Sequence, residues 1–249
     1  MAGHSHWAGI KHKKAATDKK RGKIFSKIAN LIISAARNGG GDPETNLALR
    51  YAIEKGRAAN MPRDTIARAV KKGTGELAGE EIHELTYEAY APGGAALLIH
   101  TITDNVNRTG ADVRSMLEKR GGTLGKQGSV SWNFERKALF TVATSAIGEE
   151  ELFDLALEAG AEDVSDEGEF YSITAPPESF ATLAAALEAK GLKPDASELT
   201  DLPKSRVMLE ADAARKVLAL IETLEDHEDV QTAITNADLP DEVLAELGS

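Results

Sequence analysis

At 249 residues, with 42% hydrophobic and 28% charged residues, the chain has an ordinary globular composition and the length for two or three domains. It holds no cysteine, which excludes disulfides, thiolate metal sites and cysteine nucleophiles and fits a reducing, cytoplasmic setting. The net charge of −11 is unevenly spread: residues 1–75 hold 16 Lys and Arg against 5 Asp and Glu, and the remainder holds 13 against 35. A cationic module joined to an acidic body is the footprint of a nucleic-acid-contacting part attached to something else.

Residues 1–16 show no apolar period and read as an arm. They have neither the apolar core of a signal peptide nor the length of a membrane span, and no membrane partner is expected. A first helix is predicted over Asp18 to Arg37, because Ile24, Phe25, Ile28, Ala29, Ile32, Ala35 and Ala36 recur at helical spacing. Gly39, Gly40 and Gly41 stop it. Asp42-Pro43 reads as an N-cap with proline at the first helical position, opening a second helix to about Ala59. A third runs from near Pro62 to Gly73, completing a three-helix module over residues 1–78. Lys19, Lys20, Arg21, Lys23 and Lys27 crowd the start of the first helix, where the macrodipole disfavours cations by about 0.3–1 kcal/mol each. Helix stability does not account for them, so they are assigned to an anionic ligand. The predicted nucleic-acid contacts are these five with Lys11, His12, Lys13 and Lys14 of the arm and Arg63, Lys71 and Lys72 of the third helix. For Lys71 and Lys72 the dipole at a helix C-terminus is a sufficient reason on its own.

Beyond a linker around Gly73 to Glu81 the pattern becomes mixed. Strands are predicted at Leu85 to Tyr90 and Ala95 to Thr101, then a helix from Asn107 to Arg120 capped by Asn105 or Asp104, and a strand near Val130 to Phe134. From Ala138 the order is strand, helix, strand, strand, helix, extended piece, which is a ferredoxin-like βαββαβ unit. The last strand, helix and strand (Arg206 to Leu209, Asp212 to Glu225, Val230 to Ile234) are too little for a domain. They are predicted to complete the sheet begun at Leu85, with residues 136–204 inserted. The expected fold class is α+β: an N-terminal three-helix domain (1–78) and two ferredoxin-like α/β domains (82–135 with 205–249, and 136–204), one inserted into the other.

The motifs tested for chemistry fail. In GGTLGKQGS, Arg120 stands where a phosphate loop needs its first glycine and Gln127 where it needs Ser or Thr. No HExxH or nucleophile-and-base spacing is present, and the carboxylates of the acidic half fall on predicted solvent faces. No catalysis, metal, cofactor or small-molecule substrate is expected. If Met1 is removed, the start Ala2-Gly3-His4 offers an amine, amides and an imidazole to Cu(II) or Ni(II) in square-planar geometry. Asn105, Asn107, Arg108, Thr109 and Arg114 form a second candidate anion contact at a helix N-terminus, with Lys119, Arg120 and Lys126 downstream; capping explains the Asp and Asn there equally well.

Several stretches together resemble one family. They are Ala2-Gly3-His4-Ser5, Trp7, Ile10 to Lys14, Lys20 to Lys27, Asn60-Met61-Pro62, Thr103-Asp104-Asn105 with Asn107-Arg108-Thr109, and Gly121-Gly122 with Leu124-Gly125 and Gly128-Ser129-Val130. In that order the chain resembles the YebC/PmpR family, whose relatives include mitochondrial translational activators. It departs at His6 and Gly9, where Lys and Asn are usual, and at Ala89 and Ala91, where Gly is usual. The resemblance implies three domains and a DNA-binding transcriptional regulator without catalysis; other members imply a ribosome-associated, rRNA-binding translation factor that relieves stalling at proline runs. The partners expected are DNA or rRNA and the transcription machinery or ribosome, with the protein a monomer. The rival reading is a protein-interaction scaffold whose acidic domains hold the partner.

Overall fold

The computed structural model describes residues 21–78 and 81–246. The described chain falls into two compact units, one formed by the residues up to Val130 with Lys216–Ile234, the other by Ser131–Arg215 with the residues from Thr235 onward.

The first unit opens with α1 (Arg21–Gly39), α2 (Leu47–Ala58) and α3 (Arg63–Gly73). The apolar stripe of α1 is the centre of their core: Ile28, Ile32, Ala35 and Ala36 are buried against Leu49, Ala52 and Ile53 of α2 and Ile66 and Ala69 of α3. The second helix begins later than Asp42-Pro43 predicts, and Asn46 is the reason. Its Oδ1 accepts from the Leu49 amide at 3.0 Å, capping α2, while its Nδ2 donates to the carbonyls of Ala35 and Gly40 at 2.8 and 2.9 Å. One buried side chain thus satisfies the end of α1 and the start of α2. Asp42 instead turns the chain, its Oδ1 accepting from the Glu44 amide at 2.9 Å. After α2, Asn60 takes a left-handed φ of 60° and Met61 donates back to the Gly56 carbonyl at 2.8 Å, so the chain re-enters α3 within a few residues.

Gly73 sets how closely α3 approaches α1. A Cβ there would lie 2.5 Å from the Ile33 carbonyl oxygen and 2.6 Å from the Ala36 Cβ. Gly73→Ala is therefore expected to force the helices apart at a cost of about 1–3 kcal/mol. A thermal melt of this variant that superimposes on the wild type would contradict that packing.

The same unit contains a four-stranded sheet in the order β3-β1-β2-β9, with β1 (His83–Tyr90), β2 (Ala96–Thr103), β3 (Thr123–Leu124) and β9 (Val230–Thr235). Strands β1 and β2 form a hairpin registered from His83 against Thr103 to Tyr90 against Ala96. Helix α4 (Val106–Lys119) follows β2, and its buried Thr109, Val113 and Leu117 recur every four residues. Ser34 of α1 donates to the Glu84 carboxylate, and Arg37 Nη1 donates to the Ile82 carbonyl at 3.0 Å.

In the second unit β4 (Phe134–Ala143), α5 (Glu149–Glu158), β5 (Asp163–Asp166), β6 (Phe170–Ala175), α6 (Phe180–Ala189) and β7 (Ala196–Pro203) follow in βαββαβ order. The strands lie as β5-β6-β4-β7, every pair antiparallel, which is the ferredoxin-like arrangement. Phe140 of β4 meets Phe180 of α6 with ring centroids 4.9 Å apart.

Two predicted strands are corrected. Ser131–Asn133 is a 3-10 turn, and β4 starts only at Phe134. Asn133 bends the chain there by bonding both ways with Ser205: its Oδ1 accepts from the Ser205 amide and hydroxyl at 2.9 and 2.8 Å, and its Nδ2 donates to the carbonyl at 2.9 Å. The segment predicted as a strand at Arg206 to Leu209 does not join the sheet begun at Leu85. As β8 (Val207–Met208) it pairs in parallel with β10 (Ala237–Asp238), a strand without an apolar period to announce it. Of the three returning segments, β9 joins that sheet, beside β2, after α7 (Ala211–Glu225); α8 (Asp241–Glu246) follows β10.

Candidate nucleic-acid interface

The cations of the helical module fall into two groups. Some are held by the protein itself. Lys27 donates its ammonium to the Glu225 carbonyl, Arg50 bonds to Pro43 and Glu44, and Lys55 lies over the Tyr51 ring at 5.2 Å. Others are exposed: the side chains of Arg57, Arg63, Arg68, Lys71 and Lys72 have no hydrogen bond or ion pair with another described residue. On α3 the inward positions are Ile66, Ala69 and Gly73. Arg68, Lys71 and Lys72, three and four residues apart, occupy the face turned away. Asp64, in the first turn, is the one carboxylate on this helix.

Of the sequence-predicted contacts, Lys11, His12, Lys13, Lys14, Lys19 and Lys20 lie outside the described residues, as does the Ala2-Gly3-His4 start. Arg21 and Lys23 sit in the first turn of α1. Arg63, Lys71 and Lys72 belong to the exposed group, whereas Lys27 is turned onto α7. Arg57 and Arg68 share that exposed group but were not among the sequence-predicted contacts. The signal for Arg68 was available, since the period that buries Ile66 and Ala69 places it with Lys71 and Lys72.

The second candidate contact is built differently from what its residue types promise. Asn105 caps α4, its Oδ1 accepting from the Arg108 amide at 3.1 Å. Arg108 Nη2 donates to Asp104 and to Asp229, each at 2.9 Å. The hydroxyls of Thr109 and Thr103 reach the same Asp229 oxygen at 2.7 and 3.1 Å. The anion at this helix N-terminus is thus the protein's own carboxylate. Burial would raise the Asp229 pKa, but the bonds from Thr109, Arg108 and Thr103 outweigh it and hold the carboxyl below its ordinary value. Asn107 is exposed, and Arg114 stands apart from this cluster.

The glycine-rich loop after β3 is filled in the same way. The amides of Gly128 and Val130 donate to the two carboxylate oxygens of Glu88 at 2.6 and 2.7 Å. A side-chain cluster at the start of α4 and a backbone loop after β3 therefore each hold an internal carboxylate. Among the described residues of this unit, cations without such a partner stand at the end of α2 (Arg57), on α3 (Arg63, Arg68, Lys71, Lys72), on α4 and just after it (Arg114, Lys119, Arg120), in the glycine-rich loop (Lys126) and on α7 (Lys216). Among the described residues no three His, Asp or Glu side chains gather into a metal-binding set, and no helix is long and apolar enough to cross a membrane.

Comparison with known proteins places this arrangement. A model of the TACO1/YebC protein N-terminal domain matches residues 5–76, and one of the TACO1/YebC second and third domain matches residues 82–237. A relative from Dictyoglomus turgidum is 48% identical over 248 residues, spanning 99% of this chain and all of its own. One from Treponema pallidum is 49% identical over 244 residues, 98% of this chain and all of its own. Both are named "Probable transcriptional regulatory protein". The crystal structure of a conserved hypothetical protein from Aquifex aeolicus matches with a TM-score of 0.84 at 46% identity, over 96% of this chain and 99% of that one. With both family models matched in tandem and near-full-length relatives close to half identical, the chain belongs to the TACO1/YebC family.

Proposed function

We propose that this chain is a non-catalytic, DNA-binding transcriptional regulator that grips the sugar-phosphate backbone with the cations of its first 75 residues. The observation that carries the reading is the exposed set Arg57, Arg63, Arg68, Lys71 and Lys72, whose side chains pair with no described residue, on a module whose acidic continuation already fills its own anion sites. The names of the relatives agree with it. Binding rests on phosphate neutralisation, because aromatic residues make up only 5% of the chain and leave little for base stacking.

Fluorescence anisotropy of a labelled DNA duplex against salt tests this directly. With about eight phosphates neutralised, the log-log slope is expected near −7. Removing residues 1–22 should collapse the affinity. A salt-independent affinity, or one untouched by the truncation, would sink the proposal. Running the same titration with duplex RNA separates a DNA operator from structured rRNA; tighter, equally salt-steep RNA binding would favour a ribosomal role for the same cations.

A further inference from the structure

In the first unit, α4 and the sheet leave a cleft of about 450 Å³ between Tyr87 of β1, Leu124 of β3, and Gly110, Ala111, Arg114, Ser115 and Glu118 of α4. The helix residues recur at three- and four-residue steps, so one face of α4 forms the wall. Its chemistry is mixed. The Tyr87 ring, Leu124 and Ala111 supply apolar surface, while the Arg114 guanidinium, the Ser115 and Tyr87 hydroxyls and the Glu118 carboxylate supply polar groups. None of these polar groups hydrogen-bonds another described residue, and Arg114 and Glu118 form no ion pair although they stand four residues apart. Burial, and then the Asp229 charge, raise the Tyr87 pKa, so its hydroxyl stays a neutral donor.

Gly110 is the second observation. A glycine inside a helix is less favourable than alanine by about 1 kcal/mol. Packing does not demand it here, because an added Cβ would sit 3.4 Å from the Tyr87 hydroxyl oxygen and 3.9 Å from Cε1, close to ordinary contact. A methyl at this position would stand beside the Tyr87 hydroxyl, at the wall that both residues line.

We propose that this cleft takes one unpaired nucleotide of a bound strand: the base lies against Tyr87 and Leu124, its amino or imino edge meets Ser115 and Glu118, and its phosphate meets Arg114. The volume suits a single nucleotide-sized ligand. The carboxylate of Glu118 fits a base edge and disfavours a purely anionic ligand such as an acidic peptide. The proposal rests on the nucleic-acid reading above for the source of the nucleotide, but not for the chemistry of the cleft.

The test titrates the full chain with adenosine 5′-monophosphate, with inorganic phosphate as control, and follows the Tyr87 and Leu124 resonances by NMR. The mononucleotide is expected to shift both, and inorganic phosphate neither. Arg114→Ala should weaken the response about tenfold, the equivalent of about 1.4 kcal/mol. Gly110→Ala, which favours the helix and so keeps the fold, should weaken it similarly. A second arm compares oligonucleotides: wild type is expected to prefer a duplex with a single-stranded overhang over a blunt one, and both variants should erase that preference. Unmoved Tyr87 and Leu124 resonances, or variants that respond as wild type, overturn the cleft. Loss of duplex binding with the mononucleotide response intact would overturn only the proposed function.

Discussion

Asp229→Ala is expected to lower stability by about 2–3 kcal/mol, read as a shift of the urea unfolding midpoint at neutral pH. Asp229 is 5% exposed and gathers donors from β2 and from the first turn of α4. Removing one partner of a buried ion pair costs about 3–5 kcal/mol where both charges are buried; here Thr109 keeps the Asn105 carbonyl as an acceptor. The lower figure applies because the Arg108 side chain is 42% exposed and keeps Asp104. The effect has a pH signature. A carboxyl whose folded pKa lies below its ordinary 3.8 contributes stability that is complete above that value and is lost as pH falls through the folded value. The wild type and Asp229→Ala should therefore differ most near neutrality and converge in acid. A constant gap down to the lowest pH would mean that charge has no part in it.

The triple variant Arg68→Ala, Lys71→Ala, Lys72→Ala should reduce affinity for a DNA duplex at least tenfold at low salt. It should also flatten the log-log salt slope by about 2.7, at about 0.9 per phosphate contact. These side chains are exposed and hold no hydrogen bond or ion pair with a described residue, so the melting temperature should stay close to the wild type. Unchanged slope and affinity would remove this face of α3 from the interface and leave the arm, the start of α1, Arg57 and Arg63 in contention.

How far the residues foretell this structure depends on whether the deciding interaction is local. The α1 stripe from Ile24 to Ala36 and the βαββαβ order from β4 to β7 were legible, because period and turn residues are properties of neighbours. Asn46 was not, since what makes it the cap is its reach back to the Ala35 and Gly40 carbonyls, which Asp42 with a proline beside it outbid on local grounds. Arg108 shows the same limit at the candidate site. A cation at a helix N-terminus signals an external anion until its partner is seen, and that partner lies 121 residues further on. Glu88 likewise gives no sign that it fills the loop of Gly128 and Val130, 40 residues away. Arg114 was named from its charge, but Tyr87 and Gly110 acquire meaning only when β1 and α4 are side by side.

The position of β9 against β2 has a consequence for how the chain is made. During synthesis the β1-β2 hairpin emerges with one edge of β2 bare, and Asp229, which accepts from Thr103 at the end of that strand, follows 126 residues later. At roughly 5–20 residues per second, the wait is on the order of ten seconds, during which the second sheet can close on itself. A nascent chain in that interval carries an unpaired strand edge open to any other chain that can add to it. The length of the interval in which that edge stands bare is thus set by the distance in sequence between β2 and β9.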